Sequence, residues 1–249
     1  MKTPITVVIL TKNEEHNIRN CLESVKFAAE IIIVDSGSAD NTLQISKEYT
    51  DNIIVNTNWQ GFGYQRKLAL PKATNDWILF LDADETVSEQ LAAEIGKAIN
   101  SDKYQGYLIP FQSYFCGRKK LIKYGLWHHE KHLRLFNRRH AICSDDILHE
   151  SVAVNGKLGK LTGVIFHQSY VNLEEIIEKM NRYSTDGAKM RLQKGKTSGL
   201  GKALWKGFWT FFRSYFLYAG FLDGKEGLIL AISSAETTYY TYLKLGYLN

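Results

Sequence analysis

Two carboxylates, Asp82 and Asp84, stand one residue apart behind the apolar run Trp77-Ile78-Leu79-Phe80-Leu81. Acids at that spacing after a strand make a hard-cation site. Their oxygens suit Mg2+ or Mn2+, and a diphosphate can complete the coordination sphere. Glu85 adds a third acid, which can equally open the next turn. A second polar cluster, Asp35-Ser36-Gly37-Ser38-Ala39-Asp40, follows the run Ile31-Ile32-Ile33-Val34. A carboxylate there can accept hydrogen bonds from a base or ribose, and Gly37 lets the backbone approach closely. The same residues also suit a loop that ends in a helix cap. Arg66 and Lys67 are candidate diphosphate-facing cations, or else an exposed basic turn.

Other chemistries fit poorly. Gly61-Phe62-Gly63 is no dinucleotide fingerprint, because Arg66 holds the third glycine position and no strand end precedes it. His149-Glu150 has Ala153 where a zinc protease needs its second histidine. His128, His129 and His132 lie in a segment rich in Trp and Lys, better suited to surface or substrate contact than to a metal cluster. Cys21, Cys116 and Cys143 are odd in number and form no C-x-x-C pair, so neither a disulfide framework nor a cysteine zinc site is expected. A reducing compartment fits, and Lys12-Asn13-Glu14-Glu15 interrupts the first apolar run too early for a signal peptide. The expectation is a cytoplasmic protein.

The elements that must position these acids are legible. Ile5–Leu10, Ile31–Val34, Ile53–Val55 and Trp77–Leu81 read as strands buried on both faces. Helices are expected between them: one capped by Asn13 and running to about Lys26, one carrying Leu43 and Ile45, and one from about Tyr64 to Leu70. A fourth is capped by Ser88, with Leu91, Ile95 and Ile99 on one face. Alternation of this kind predicts an α/β fold with a mostly parallel sheet, in which ligands bind beyond the carboxyl ends of the strands. Thr11, Asp35 and Asp82-Ala83-Asp84 all fall at such ends. Shorter strands are expected at Tyr107–Ile109, His132–Phe136 and Val164–Phe166. From Leu173 onward the spacing is helical, with Asn172 and Glu175 resembling a capping box.

The chain has 249 residues, 45% hydrophobic and 23% charged, which suits one large globular domain or one domain with a helical appendage. The net charge of +5 is concentrated C-terminally, in Lys189, Arg191, Lys194, Lys196, Lys202, Lys206 and Arg213. The aromatic segment Leu204–Leu222 overlaps it. Lys206 and Arg213 make that segment a poor membrane span, but aromatics with cations suit an interfacial helix. Lipid or nucleic acid would satisfy the charge. Packing of the C-terminal helices on the catalytic domain is the alternative use of this surface. A plain lipid- or nucleic-acid-binding module leaves the acids at the strand ends unexplained, so nucleic acid is not expected as a partner.

Three motifs together, Thr11-Lys12-Asn13-Glu14, Val34-Asp35-Ser36-Gly37-Ser38-Ala39-Asp40-Asn41-Thr42 and Leu81-Asp82-Ala83-Asp84-Glu85, resemble the nucleotide-sugar domain of glycosyltransferase family 2. Arg134-Leu135-Phe136, Leu148-His149-Glu150 and Gly220-Phe221-Leu222-Asp223-Gly224 narrow the resemblance to lipopolysaccharide inner-core glucosyltransferases of the WaaE and LgtF type, over nearly the whole length. The resemblance implies a GT-A fold, that is, a Rossmann-like nucleotide-sugar domain with a C-terminal helical extension. It implies a UDP-sugar donor, a divalent metal and inversion at the anomeric carbon. Residues 1–170 would form the catalytic domain, with the nucleotide-sugar half at about 1–102 and the acceptor half at about 103–170. Residues 171–249 would form the extension. Thr11, Asn13, Glu14 and Asp35 would line the nucleoside pocket, Asp82 with Ala83 would face the ribose or metal, and Asp84 would bind the metal. Family members commonly carry two acids where this chain has Asp35-Ser36, so the base contact would rest on Asp35 alone.

A single displacement also needs a base for the acceptor hydroxyl. Glu150 is preferred for its place in the region that similar enzymes use for the acceptor, with Asp145 and Asp146 as competing candidates and Asp146 the stronger of those two. His167, after the last short strand, is a candidate metal ligand or phosphate contact, or a local hydrogen-bonding residue. The implied reaction moves glucose from UDP-glucose to a heptose of a lipid-linked oligosaccharide, at the cytoplasmic face of the inner membrane.

Overall fold

The computed structural model describes residues 2–115, 120–126, 131–143, 152–168 and 172–248. Four parallel strands form its N-terminal half: β1 (Thr3–Thr11), β2 (Ala28–Asp35), β3 (Ile53–Val55) and β4 (Trp77–Asp82). They lie in the order β3-β2-β1-β4. The sheet continues antiparallel through β7 (Lys131–Asn137) and β6 (Gly106–Ser113), and then through β11 (Ile165–His167) to β5 (Glu85–Val87). The strand β10 (Leu158–Lys160) pairs with β6, while β8 (Ala141–Cys143) and β9 (Val152–Val154) form a separate ribbon.

Alternation along the strands divides the core between the two sheet faces. Ile5, Val7, Ile9, Ile31, Ile33, Leu79 and Leu81 pack on one face with Ile18, Cys21 and Leu22 of α1 (Ile18–Ser24) and Leu91 and Ile95 of α4 (Glu89–Ala98). Val8, Leu10, Ile32, Val34, Ile78 and Phe80 face the other way, against Phe136 and Ala69, the last residue of α3 (Phe62–Ala69). Each of these Val, Leu, Ile and Phe side chains contributes roughly 1.5–3 kcal/mol by leaving water. Ser88 caps α4 by accepting from the amide of Leu91.

Helix α1 begins later than the sequence pattern suggests. Asn13 takes a left-handed φ of 55°, and the amides of Asn13, Glu14 and Glu15 donate to Ser38 Oγ, Thr42 Oγ1 and Asp40 Oδ2. The first turn of the expected helix is thereby spent on clasping the neighbouring loop, which leads into α2 (Thr42–Lys47). Asn172 does cap α5 (Leu173–Gln193), accepting from the amide of Glu175.

The chain separates into two compact units, Met1–Phe111 with Lys131–His167, and Gln112–Glu130 with Gln168–Asn249. The second unit holds α5, α6 (Leu200–Phe212) and α7 (Lys225–Tyr247). Its small core joins Phe115, Ile122, Ile176 and Leu230. The carboxylate of Asp223 accepts the amides of Lys123 and Tyr124, and Lys120 Nζ donates to Glu226 Oε2 at 2.5 Å. Among the described residues, no helix is long and apolar enough to cross a membrane.

Candidate active site

Register assembles the site. Pairing of β1 with β2 sets Thr11 beside Asp35, and pairing of β1 with β4 sets Leu10 beside Asp82. The carboxyl ends of three parallel strands thus bring together the polar residues that the sequence places far apart. The amide of Ala83 donates to the Leu10 carbonyl at 3.0 Å, which carries the pairing into the acidic triplet.

At the β1–β2 end, Asp35 is fully buried. Its Oδ1 accepts the amides of Gly37 and Ser38, both at 2.8 Å, and its Oδ2 accepts the Ser38 hydroxyl. Asp35 is therefore an organiser of its own loop, with three of its roughly four lone-pair sites taken by that loop. Gly37 has φ of +90°, and a Cβ there would lie 2.9 Å from Thr57 Cγ2, so only glycine fits. Asn13 Oδ1 accepts the amide of Ala39 at 2.8 Å, so the 11–15 and 35–42 loops hold each other. The hydroxyl of Thr11 is buried and, among the described residues, has no hydrogen-bond partner, an unusual state for a buried polar atom.

At the β4 end, Asp82 is gripped by two arginines. Arg66 Nη2 lies 2.6 Å from Oδ1, and Arg134 Nη2 lies 3.3 Å from Oδ2. Arg134 also donates to Glu85 Oε1 at 2.9 Å, while Glu85 Oε2 accepts the amide of Asp82. Both guanidinium groups lie over rings, Arg66 on Phe80 and Arg134 on Phe111. Burial alone would raise the Asp82 pKa, but the Arg66 and Arg134 charges outweigh it and hold the group down at about 2. Glu85 is buried more deeply, at 1% exposure. There burial prevails over the attraction of Arg134, and its pKa is pushed up.

Asp84 points elsewhere. The antiparallel pairing of β11 with β5 sets His167 opposite Glu85, and His167 Nε2 lies 3.1 Å from Asp84 Oδ2. Burial pulls the imidazole pKa down, but the hydrogen bond and charge of Asp84 outweigh it, so the net shift is upward. Among the described residues no three His, Cys, Asp or Glu side chains converge as a metal cage. The donor set at this spot is one carboxylate and one imidazole.

Of the residues singled out from the sequence, the structure brings together Thr11, Asn13, Glu14 and Asp35 at one end, and Arg66, Asp82, Ala83, Asp84 and His167 at the other. Arg66 is buried rather than an exposed turn residue, whereas Lys67 is half-buried on α3. Sequence reasoning assigned no role to Arg134 and missed the depth of Glu85. The available signal was a cation within the apolar strand run Leu133-Arg134-Leu135-Phe136. His132 lies on β7 with its ring edge-on to Phe111. His128, His129, Asp145, Asp146, His149 and Glu150 lie outside the described residues.

The sequence model of glycosyl transferase family 2 matches residues 6–152. The chain belongs to that family. It is 32% identical to an uncharacterized glycosyltransferase of Rickettsia typhi over 97% of this chain and 86% of the relative. It is 29% identical to the lipopolysaccharide core biosynthesis glycosyltransferase LpsC of Rhizobium meliloti, over 98% and 92% of the two chains. The crystal structure of S. aureus TarS superposes with a TM-score of 0.50 at 19% identity, covering 89% of this chain and 45% of that one, which bears on the fold alone. The expected family and its GT-A fold are borne out. This family 2 member is a glycosyltransferase, built as an α/β fold with a mostly parallel sheet and a helical C-terminal region.

Proposed function

We propose that this glycosyltransferase moves glucose from UDP-glucose onto a heptose of a lipopolysaccharide inner core, inverting the anomeric carbon to a β-1,4 linkage. The observation that carries the donor half is the strand-end arrangement. At the carboxyl end of β1, a buried Thr11 hydroxyl with no partner among the described residues and the Asp35 loop lie on the β2 side, and the Asp84–His167 pair lies on the β4 side. The first suits a nucleoside, whose polar edge would satisfy the orphan hydroxyl. The second suits Mg2+ or Mn2+, with one oxygen and one nitrogen donor from the protein and the remaining positions left to diphosphate and water. A bound divalent cation would neutralise charge developing on the departing diphosphate.

The protein's own groups do the rest. Arg66 and Arg134 keep Asp82 ionised and fixed in direction, so that it can meet the ribose or metal. Lys67 adds positive charge on the same helix as Arg66. The acceptor hydroxyl oxygen attacks the anomeric carbon as the bond to the UDP oxygen breaks, with UDP taking the bonding pair. Glu150 takes the hydroxyl proton, Asp146 being the alternative base. Similarity to LpsC over nearly the full length supports the lipopolysaccharide acceptor. A lipid-linked acceptor places the enzyme peripherally on the cytoplasmic face of the inner membrane.

A screen of UDP-sugars with Mn2+ against a lipid-free heptose-containing acceptor tests the reading. Transfer from UDP-glucose in preference to its epimers is expected. Transfer of another sugar, or none to heptose, would overturn it.

A further inference from the structure

Helix α6 is built inside out for a water-soluble helix. Its buried residues are small or polar: Ala203, Gly207 and Thr210. They face α7, where Thr210 Oγ1 donates to Thr238 Oγ1 at 3.2 Å and a Cβ on Gly207 would come within 3.0 Å of Tyr239 Cβ. The large residues point outward, with Trp205 at 59%, Phe208 at 58% and Leu204 at 55% exposure. Leu200 and Trp209 are exposed as well. At about 100° per residue, Leu200, Leu204, Phe208, Trp205 and Trp209 sweep roughly half the circumference without a charge. The rings tile along it: Trp205 stacks with Trp209 at 6.4 Å, and Phe208 with Phe212 at 6.4 Å. Lys202 and Lys206 fall at the border of this arc, between it and the buried face.

Along the chain, the segment that holds the helix carries charge of one sign. Residues 187–222 contain seven Lys or Arg and no Asp or Glu. After α6 the chain leaves through a five-residue π turn, Arg213–Leu217, and a 3-10 turn, Gly220–Asp223, which expose Phe216, Leu217, Phe221 and Leu222. An apolar arc of this size is rarely left to water. A protein partner would have to match both the arc and the lysines at its border, whereas an anionic bilayer supplies acyl chains below and phosphates at the rim.

We infer that α6 lies in the plane of an anionic membrane, with Leu204, Trp205, Phe208 and Trp209 sunk to the acyl boundary and the flanking lysines at the lipid phosphates. This names the surface that would bring the enzyme to a lipid-linked acceptor, and in that role it rests on the proposed function.

The test is co-sedimentation of the full chain with vesicles of phosphatidylglycerol and phosphatidylcholine in equal parts, and with phosphatidylcholine alone. Transfer to a lipid-free heptoside is measured in parallel. Wild type binds the anionic vesicles at least about tenfold more tightly than the neutral ones. The exposed triple substitution Trp205→Ser, Phe208→Ser and Trp209→Ser weakens vesicle binding by on the order of a hundredfold, with an unchanged thermal melt and unchanged transfer to the lipid-free heptoside. Lys196→Glu with Lys206→Glu removes the preference for anionic lipid. Undiminished binding by the triple variant overturns the inference, as does a wild type that ignores anionic vesicles. So does a wild-type dimer that the triple substitution makes monomeric without any vesicle binding, since the arc would then be an interface between copies. Vesicle binding without glucose transfer sinks the proposed reaction and leaves the membrane face standing; the converse does the reverse.

Discussion

Asp84 and His167 are 83 positions apart in the chain, yet His167 Nε2 sits 3.1 Å from Asp84 Oδ2. A short antiparallel pairing, His167 against Glu85 and Ile165 against Val87, holds them there. The histidine is thus delivered to the acidic triplet by the last strand of the sheet unit. Asp82, two residues away, is committed to Arg66 and Arg134 instead. The two acids of one triplet therefore have different surroundings and, on the proposed function, different tasks.

Asp84→Ala should remove metal-dependent transfer, and His167→Ala should weaken Mn2+ binding in the presence of UDP by at least about tenfold. Calorimetric titration of Mn2+ and UDP measures both. Transfer that is indifferent to a chelator, or a fully active Asp84→Ala enzyme, would contradict the assignment.

Arg134→Met should strand the buried Glu85 and leave Asp82 to Arg66 alone, since the guanidinium serves both acids. Removing one partner of a buried ion pair costs about 3–5 kcal/mol. Urea denaturation should show a loss of that order, with Arg134→Lys recovering part of it. A stability change under about 1 kcal/mol in the Met variant would mean that the pair is hydrated rather than buried.

Glu150→Gln should abolish turnover while UDP-glucose binding stays largely intact, because the residue is assigned to the acceptor proton and not to the donor. Rapid-quench turnover and equilibrium donor binding separate the two. Near-normal turnover would move the role to Asp146.

Glu94 gives a pH signature. Its carboxylate accepts the amides of Thr162 and Gly163 and the Thr162 hydroxyl. Burial works to raise its pKa, but the Thr162 and Gly163 hydrogen bonds prevail and lower it from 4.5 to about 2. A depressed carboxylate stabilises the fold above its unfolded pKa and loses that contribution as pH falls through the folded value. The melting-temperature advantage of wild type over Glu94→Gln should therefore be full near neutral pH and shrink between about 4.5 and about 2. An advantage that stays constant over that window would refute the account.

Gly163→Ala should destabilise the sheet unit. A Cβ at residue 163 would fall 2.4 Å from the Leu91 nitrogen and 2.5 Å from its Cα, and backbone cannot swing aside as a side chain can. A cost of about 1–3 kcal/mol is expected, visible as a melting temperature several degrees lower. An unchanged melt would show that α4 shifts freely.

The parallel strands were readable because burial on both faces demands unbroken aliphatic runs. Ile5–Leu10, Ile31–Val34 and Trp77–Leu81 all lie within observed strands. The start of α1 was not readable. Asn13 looks like a cap, but a cap and a loop clasp use the same small polar side chain, and only the proximity of Ser38 and Thr42 decides between them. Arg66 was ambiguous for a related reason: its chemistry says cation, and its burial depends on Asp82, sixteen residues away.

The sequence alone determined the family-level chemistry: acids at strand ends, a loop needing Gly37, and a basic aromatic stretch without acids. These follow from local pattern, since period and residue type fix strands and their ends. Only the tertiary structure decided which acid meets which cation, that His167 returns to Asp84, and that α6 turns its small face inward and its aromatic face out. Those outcomes depend on strand register and helix rotation, which pairings between distant segments set and no local pattern encodes.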